Sequence, residues 1–326
     1  MINQIVKHYI NEKMPLKYHP EFAEHFPSDS GANSSPIPAH DIPTRRQWAS
    51  AICSQFAASA LPPDIEHVVY RIPSDNVLIE IHHYRKKPVG KTPGIVHFHG
   101  GGFFSLSVES VQTMLVDYVR DTGVQFLSVE YRLAPEHPFP IPMEDSWTGL
   151  KWVYSHAEEL NIDQTRIGVM GESAGGGLAA SMALRARTEN LSPPLARQIL
   201  IYPMLDDRTV NRHVGDLASW TEADNVTGWT AYLGDKVGSD SVSAYAAPAR
   251  AVSLAGLPPL YMDVGQLDIF VHEGVEYVRR LVDVGVSVDF HLYSGLPHGF
   301  EGLAPRSPVA KRAWESRVRA IRELYY

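Results

Sequence analysis

The sequence predicts an α/β fold in which a mostly parallel central sheet is flanked by helices, and three observations support this prediction. From residue 94 onward, short apolar runs typical of strands alternate with longer segments rich in helix formers. The residues able to carry chemistry follow the ends of these predicted strands, where ligands bind in open parallel sheets. A chain of 326 residues that is 44% apolar can also bury one sizeable core.

The first part of the chain predicts helices and a hairpin outside this alternation. One face of a first helix carries Ile2, Ile5, Val6, Tyr9 and Ile10. A loop rich in Pro, Ser, Gly and Asn follows over 19–42, and a second helix is predicted to begin at Thr44, with a capping box formed with Gln47. Runs 65–71 and 77–84 then predict an antiparallel hairpin at the sheet edge.

Residues 171–175 read Gly-Glu-Ser-Ala-Gly and lie between a β-type run, 166–170, and a helical segment, 176–184. A Gly-x-Ser-x-Gly between strand and helix is typical of a nucleophile elbow, a turn so tight that the serine hydroxyl projects from the sheet. Alone the motif is weak evidence, because a plain turn between strand and helix also fits it. Ser173 therefore needs partners elsewhere in the chain.

A glycine-rich loop is the first candidate partner. The predicted strand 94–98 is followed by His-Gly-Gly-Gly-Phe at 99–103. Three successive glycines leave backbone N–H groups free to point at a ligand oxygen, and such a loop forms one half of an oxyanion hole. The alternatives are a flexible glycine loop or a phosphate-binding loop. The second is disfavoured because the G-x-x-x-x-G-K-[ST] pattern is absent from the sequence.

A carboxylate and a histidine near the C-terminus complete the pattern. Asp268 and His298 each follow a predicted strand, in the chain order Ser, Asp, His that the nucleophile elbow requires. The histidine would act as base and the carboxylate would hold its other ring nitrogen. Asp263 competes with Asp268, which is preferred because Asp263 lies within the strand 259–264. His298 is one of 15 histidines, most of them surface or structural in this interpretation.

These motifs together closely resemble the hormone-sensitive-lipase-like esterases of the α/β-hydrolase superfamily. The resemblance covers the chain from about residue 88 onward and depends on 99–103, 131–140, 171–176, 268–273 and 298–300. It implies an α/β-hydrolase fold with a helical cap, and the following sites: Ser173 as nucleophile, Asp268 and His298 completing the triad, and an oxyanion hole from the N–H groups of Gly101, Gly102 and Ala174. No cofactor or metal is implied.

One residue departs from the family pattern, and two segments are predicted to form the cap. Similar esterases often carry Asp or Thr where this chain has Glu172. Residues 1–60 are predicted to be N-terminal cap helices and 61–326 the catalytic core. An irregular insertion at about 206–245, containing Trp220 and Trp229, would join the cap.

Composition and charge limit the partners and the cellular location that we expect for the protein. The formal net charge is −8 and no Lys/Arg run occurs, which excludes nucleic acid and anionic membrane surfaces as expected partners. A single cysteine, Cys53, and a start that lacks a secretory signal pattern predict a cytoplasmic protein. The last predicted strand, 286–293, lies at a sheet edge where similar esterases sometimes pair, so a homodimer is the predicted assembly.

The predicted function is a serine carboxylester hydrolase that cleaves short- to medium-chain acyl esters of small molecules through an acyl-enzyme intermediate. Lactones and amides would use the same residues, so a lactone or amide hydrolase of secondary metabolism is the alternative. Plant hormone receptors similar to this family bind a ligand without hydrolysing it and lack the triad histidine. Because His298 is present, this receptor function is the weaker hypothesis.

Overall fold

The computed structural model describes residues 16–26, 37–54, 61–87, 90–211 and 214–326. The predicted first helix, with Ile2 to Ile10, lies outside the described residues. Eight described strands form one sheet in the order β1-β2-β4-β3-β5-β6-β7-β8. The strands are β1 Ile65–Ser74, β2 Val77–Lys86, β3 Thr92–Phe98, β4 Gln125–Glu130, β5 Ile162–Glu172, β6 Arg197–Ile201, β7 Leu260–Leu267 and β8 Val288–Pro297.

The sheet is parallel except at one end. β1 and β2 form the predicted antiparallel edge hairpin, and β2 also pairs with β4 in antiparallel register. Every pairing from β4 to β8 is parallel. The predicted α/β fold with a mostly parallel sheet is therefore confirmed.

Helices cover both faces of this sheet. The described α-helices are α1 Pro20–Ala23, α2 Ile42–Ser54, α3 Gln112–Thr122, α4 Ile141–Ser155, α5 Ala174–Thr188, α6 Glu222–Leu233, α7 Val271–Asp283, α8 Phe300–Leu303 and α9 Pro308–Arg322. Within the described residues, no helix is both long and apolar enough to cross a membrane.

Consecutive residues of the central strands enter two different cores, as the period of two in a strand requires. On one face Ile95, Phe126, Met170 and Ile199 pack with α3 and α9, and on the other Val96, Leu127, Val169 and Leu200 pack with α4, α5 and α7. Because both faces are covered, these strands are apolar runs and not alternating ones.

Among the predicted boundaries, the start of α2 and the end of β8 are wrong. Helix α2 begins at Ile42, and its start is capped by the Asp41 carboxylate, which accepts a hydrogen bond from the Thr44 N–H at 3.1 Å. The predicted capping box at Thr44 is therefore replaced by a cap three residues earlier. Strand β8 runs to Pro297 through residues predicted as loop, because its pairing with β7 resumes after a bulge.

Two consecutive arginines of α2 connect the helix to its surroundings. The Arg45 side chain, largely buried, donates to Asp224 Oδ1 of α6 at 2.7 Å. Arg46 donates to the carbonyl oxygen of Phe104 at 2.7 Å and pairs with both oxygens of Glu136. The helix α2 is thus attached both to the 206–245 insertion and to the loop that follows β3.

Candidate active site

Ser173 lies at a strained turn between β5 and α5. Its backbone has φ 55° and ψ −119°, a conformation rare for a residue with a side chain and typical of a nucleophile elbow. A Cβ added to Gly175 would lie 2.0 Å from the carbonyl oxygen of Phe98, so only glycine allows helix α5 to start this close to β3. The Ser173 N–H donates to the carbonyl oxygen of Ile201 at 2.9 Å, which anchors the turn to β6.

The structure brings Ser173, His298 and Asp268 together. The distance from Ser173 Oγ to His298 Nε2 is 3.0 Å, and that from His298 Nδ1 to Asp268 Oδ2 is 2.6 Å. The other oxygen of the fully buried Asp268 accepts from the Phe270 N–H at 2.9 Å. In the tautomer whose Nδ1–H donates to the carboxylate, Nε2 is free to accept a hydrogen bond from the serine hydroxyl.

The competing carboxylate, Asp263, lies elsewhere. It is fully buried on β7, where it accepts hydrogen bonds from Arg317 and from the Tyr261 hydroxyl. Asp263 lies within β7, whereas Asp268 lies one residue past the end of that strand.

The glycine loop after β3 runs beside the elbow. A Cβ built on Gly100 would lie 3.5 Å from the Cβ of Ser173. Gly101 and Gly102 have φ of 109° and 61°, which favour glycine. No residue in the described part of the chain accepts a hydrogen bond from the N–H of Gly101, Gly102 or Ala174. Three backbone donors near the serine are therefore available to a ligand oxygen.

His99 is enclosed by its own loop. Its Nδ1 lies 2.8 Å from the carbonyl oxygen of Gly100, and its ring stacks on Tyr131 at a centroid distance of 4.3 Å. The Tyr131 hydroxyl donates to the carbonyl oxygen of His99 at 2.7 Å. These contacts hold the start of the glycine loop against the segment that follows β4.

A family model described as alpha/beta hydrolase fold matches residues 95–302, more than half of the chain. The chain belongs to this family. Relatives and solved structures agree with that assignment. Esterase LipI of Mycobacterium tuberculosis is 33% identical over 234 residues, which cover 71% of this chain and 73% of that protein. Ethyl acetate hydrolase of Pseudomonas putida is 29% identical over 274 residues, which cover 81% and 85% of the two chains.

The solved structure of a bacterial heroin esterase matches this α/β hydrolase with a TM-score of 0.85 at 34% identity. The match covers 94% of this chain and 98% of the heroin esterase chain. The resemblance to hormone-sensitive-lipase-like esterases is confirmed by these comparisons. The prediction of a hydrolase of carboxylic esters is confirmed with it.

In this hydrolase the unusual Glu172 pairs with a histidine of a neighbouring strand. Its buried carboxylate lies 2.9 Å from Nε2 of His97 on β3, and Nδ1 of His97 lies 2.8 Å from the Ser128 hydroxyl on β4. The second oxygen of Glu172 is buried, and no described residue pairs with it. A line of polar side chains therefore crosses three strands directly beneath the elbow.

Glu273, which ends the 268–273 motif, is a further buried acid. Its carboxylate accepts hydrogen bonds from the Leu205 N–H at 2.6 Å and from the Thr209 hydroxyl. Burial raises the pKa of Glu273 well above its usual range, against the opposing effect of these hydrogen bonds. This residue fastens the segment after β6 to helix α7.

Two residues of the insertion reach the candidate site. The Ser219 hydroxyl donates to the carbonyl oxygen of His298 at 2.6 Å, and the Trp220 ring lies 6.0 Å from the His298 ring. The sequence indicates Trp220 only as an aromatic residue of the predicted cap. Ser219 carries no motif, so its contact with a residue 79 positions away could not be inferred from the chain.

Proposed function

We propose that Ser173 is the nucleophile of this carboxylesterase, with His298 as base and Asp268 as the group that orients it. The observation that carries the proposal is the continuous pair of hydrogen bonds, 3.0 Å and 2.6 Å long, from Ser173 through His298 to Asp268. The hydroxyl oxygen attacks the ester carbonyl carbon while its proton passes to His298 Nε2.

The resulting oxyanion accepts hydrogen bonds from the N–H groups of Gly101, Gly102 and Ala174, which stabilise its charge. The protonated His298 then gives its proton to the leaving alkoxide, and an acyl group remains on Ser173. A water molecule, deprotonated by the same imidazole, attacks the acyl carbon. This second step releases the acid and restores the serine hydroxyl.

Hydrolysis of p-nitrophenyl acetate tests the nucleophile. Ser173→Ala should lower kcat by about 10⁴-fold or more. A fluorophosphonate probe should label the wild type at this serine and leave the variant unlabelled. Ser155→Ala is the matched control, since its hydroxyl is exposed and, among the described residues, bonds to the carbonyl oxygen of Trp152 and to His156 alone. Full activity in Ser173→Ala would end the proposal.

A pair of carboxamide variants tests the orienting group. Asp268→Asn should lower kcat about ten-thousandfold with the fold intact, because the amide no longer favours the reactive tautomer of His298. Asp263→Asn should act on stability instead, since its partner is the buried Arg317. The reverse pattern would assign the role to Asp263.

We also propose that residues 1–60 and 206–245 form a cap over the site. Such a cap would limit the length of the bound acyl chain, so we propose esters of short to medium acyl chains as substrates. The Arg45–Asp224 ion pair and the Ser219–His298 hydrogen bond support the cap. Activity on p-nitrophenyl acetate, butyrate, octanoate and palmitate should peak at one of the first three. A maximum at palmitate would contradict the expected chain length.

A homodimer and a cytoplasmic location complete the proposal. Strand β8 is an edge of the described sheet and exposes Leu292, which supports pairing between two copies. Light scattering coupled to gel filtration tests it, and a monomer mass at all concentrations would exclude it. The presence of a single cysteine among 326 residues supports a location in the reducing cytoplasm. Fractionation of expressing cells tests this location.

A further inference from the structure

Trp220 contacts one half of the proposed oxyanion hole and lies beside the base. A Cβ added to Gly102 would lie only 2.5 Å from Cη2 and 3.0 Å from Cζ2 of Trp220, so the outer edge of the indole rests on this glycine. The same ring lies 6.0 Å from the His298 ring, inclined at 44°. The indole therefore spans the space between Gly102 and His298.

The position of Trp220 is fixed from both sides. Its ring stacks against Phe104 at a centroid distance of 6.2 Å. Ser219, the preceding residue, is bonded to the His298 carbonyl oxygen at 2.6 Å. Thr221, the following residue, is the N-cap of α6 and forms a reciprocal capping box with Asp224. Because residues 219, 220 and 221 are each held by such contacts, the Trp220 ring forms a fixed boundary of the site and not a mobile lid.

Two further tryptophans in the predicted cap segments, Trp229 and Trp48, have different surroundings. Trp229 is fully buried and packs against Phe103 and Tyr232, which makes it part of the core. Trp48 on α2 is 56% exposed. Within the described residues, Trp220 is the one ring of these three that contacts both Gly102 and His298.

We propose that Trp220 determines specificity by bounding the alcohol side of the ester, an inference that rests on the proposed function. The leaving oxygen must approach His298 Nε2 to receive its proton, and the carbonyl oxygen must approach the Gly102 N–H. The indole lies beside both positions. The first carbons of the alcohol group therefore meet the ring, whereas the acyl group takes the remaining tetrahedral direction. The preferred substrates are esters of small or flat alcohols.

The test compares acetates of ethanol, 2-propanol and cyclohexanol by kcat/KM, which reports steps up to acylation. In Trp220→Ala, the cyclohexyl-to-ethyl ratio should rise at least about tenfold over wild type, because one methylene in a pocket already changes such ratios by that order. Trp220→Phe keeps a ring and should keep the wild-type ratio within about threefold. Trp48→Ala is the matched control and should leave the ratio unchanged.

A second series holds the alcohol constant and varies the acyl group, using p-nitrophenyl acetate, butyrate and octanoate. Trp220→Ala should change these ratios less than about threefold, since the ring is assigned to the other side. A shift in the acyl series with an unchanged alcohol series would overturn the inference. So would unchanged ratios in both series.

These outcomes are separate from failure of the proposed function. The ratios are measured in variants that retain Ser173 and still hydrolyse ethyl acetate, whereas the nucleophile is judged by Ser173→Ala alone. If Trp220→Ala loses its folded circular dichroism, Trp220→Leu carries the same test with a smaller loss of packing.

Discussion

The guanidinium of Arg317 holds the carboxylate of Asp263 through two hydrogen bonds of 2.7 Å and 3.0 Å, with both side chains fully buried. Arg317 also donates to Glu301 at 2.6 Å, and Glu301 accepts from the Tyr202 hydroxyl. The Tyr202 ring in turn lies edge-on to His298 at 4.6 Å. The buried Arg317 of α9 is therefore connected to β7 directly and, through Glu301, to the Tyr202 ring that packs against His298.

Replacement of this arginine should be strongly destabilising. Arg317→Met removes the cation shared by Asp263 and Glu301 and leaves both carboxylates buried, which costs about 3–5 kcal/mol in the free energy of unfolding. Urea denaturation measures the loss. Arg279→Met is the control: it breaks only exposed ion pairs with Glu276 and Asp283 and should lower the free energy of unfolding far less than Arg317→Met. Similar losses in the two variants would refute the structural importance of burial here.

The sequence predicted the fold well because its strand runs and glycine turns are local signals. The eight-stranded sheet and its edge hairpin agree with those runs. The Asp263–Arg317 pair could not be predicted, since 54 residues separate its members and no local pattern marks either one. The end of β8 was misplaced for a related reason: the bulge that lets Leu267 pair with Pro297 depends on the neighbouring strand.

Glu172 should act on turnover through its position beneath the elbow. Its hydrogen bond to His97 ties the strand of Ser173 to the strand that leads into Gly101. Glu172→Ala removes this tie and should lower kcat about 10- to 100-fold, because small displacements of reacting groups have effects of this size, with KM changed less than about threefold. Kinetics with p-nitrophenyl acetate checks the split between kcat and KM.

The conservative variant separates positioning from packing. Glu172→Gln keeps an acceptor oxygen for His97 and should retain kcat within about threefold of wild type. A trifluoromethyl ketone, which mimics the tetrahedral intermediate, should lose affinity in Glu172→Ala in proportion to kcat/KM. If the ketone binds both forms equally, Glu172 has no role in shaping the oxyanion hole.

Arg46 should contribute more to stability than the glutamate it pairs with. The Arg46 guanidinium donates to the carbonyl oxygens of Phe104 and Ala134 as well as to Glu136. Arg46→Met leaves those acceptors unpaired and should cost about 1–3 kcal/mol by urea denaturation. Glu136→Gln removes only an exposed charge and should cost less than about 1 kcal/mol. Equal costs would mean that the carbonyl contacts contribute nothing.

The pH dependence of this pair has a defined sign. The hydrogen bond from Arg46 lowers the pKa of Glu136 to about 2. The contribution of the Arg46–Glu136 pair to the free energy of unfolding is therefore complete above the pKa of an unfolded glutamate, about 4.3, and is lost as the pH falls toward 2. Because the carboxylate is exposed, salt should reduce this contribution.

The candidate site divides into a part that local patterns indicate and a part that they do not. Ser173, Asp268 and His298 each follow a strand end, and parallel strands bring such ends to one edge. The structure accordingly places His298 within hydrogen-bond distance of both Ser173 and Asp268. The contacts of Ser219 and Trp220 come from an insertion whose course is set by tertiary packing, so the sequence indicated only an aromatic cap.

His83 is a fully buried imidazole whose protonation should weaken the fold in mild acid. Its Nε2 lies 2.6 Å from Oε1 of Gln125, whose amide nitrogen donates to Thr92 and to the carbonyl oxygen of Asn161. Nε2 of His83 is therefore the donor. A second proton would create a buried N–H on Nδ1, for which the described part of the chain offers no hydrogen-bond acceptor. Burial lowers the pKa of His83 to about 4, against the opposing effect of Gln125.

This pKa lies below the value of about 6.5 in an unfolded chain, so the stability due to neutral His83 is present above that pH and is lost as the pH falls toward 4. The full shift corresponds to about 3 kcal/mol. Between neutral pH and pH 4, wild type should lose up to about that much more unfolding free energy than His83→Asn. The exposed His25→Asn serves as control and should follow wild type. Parallel pH profiles for wild type and His83→Asn would show that another group controls acid stability.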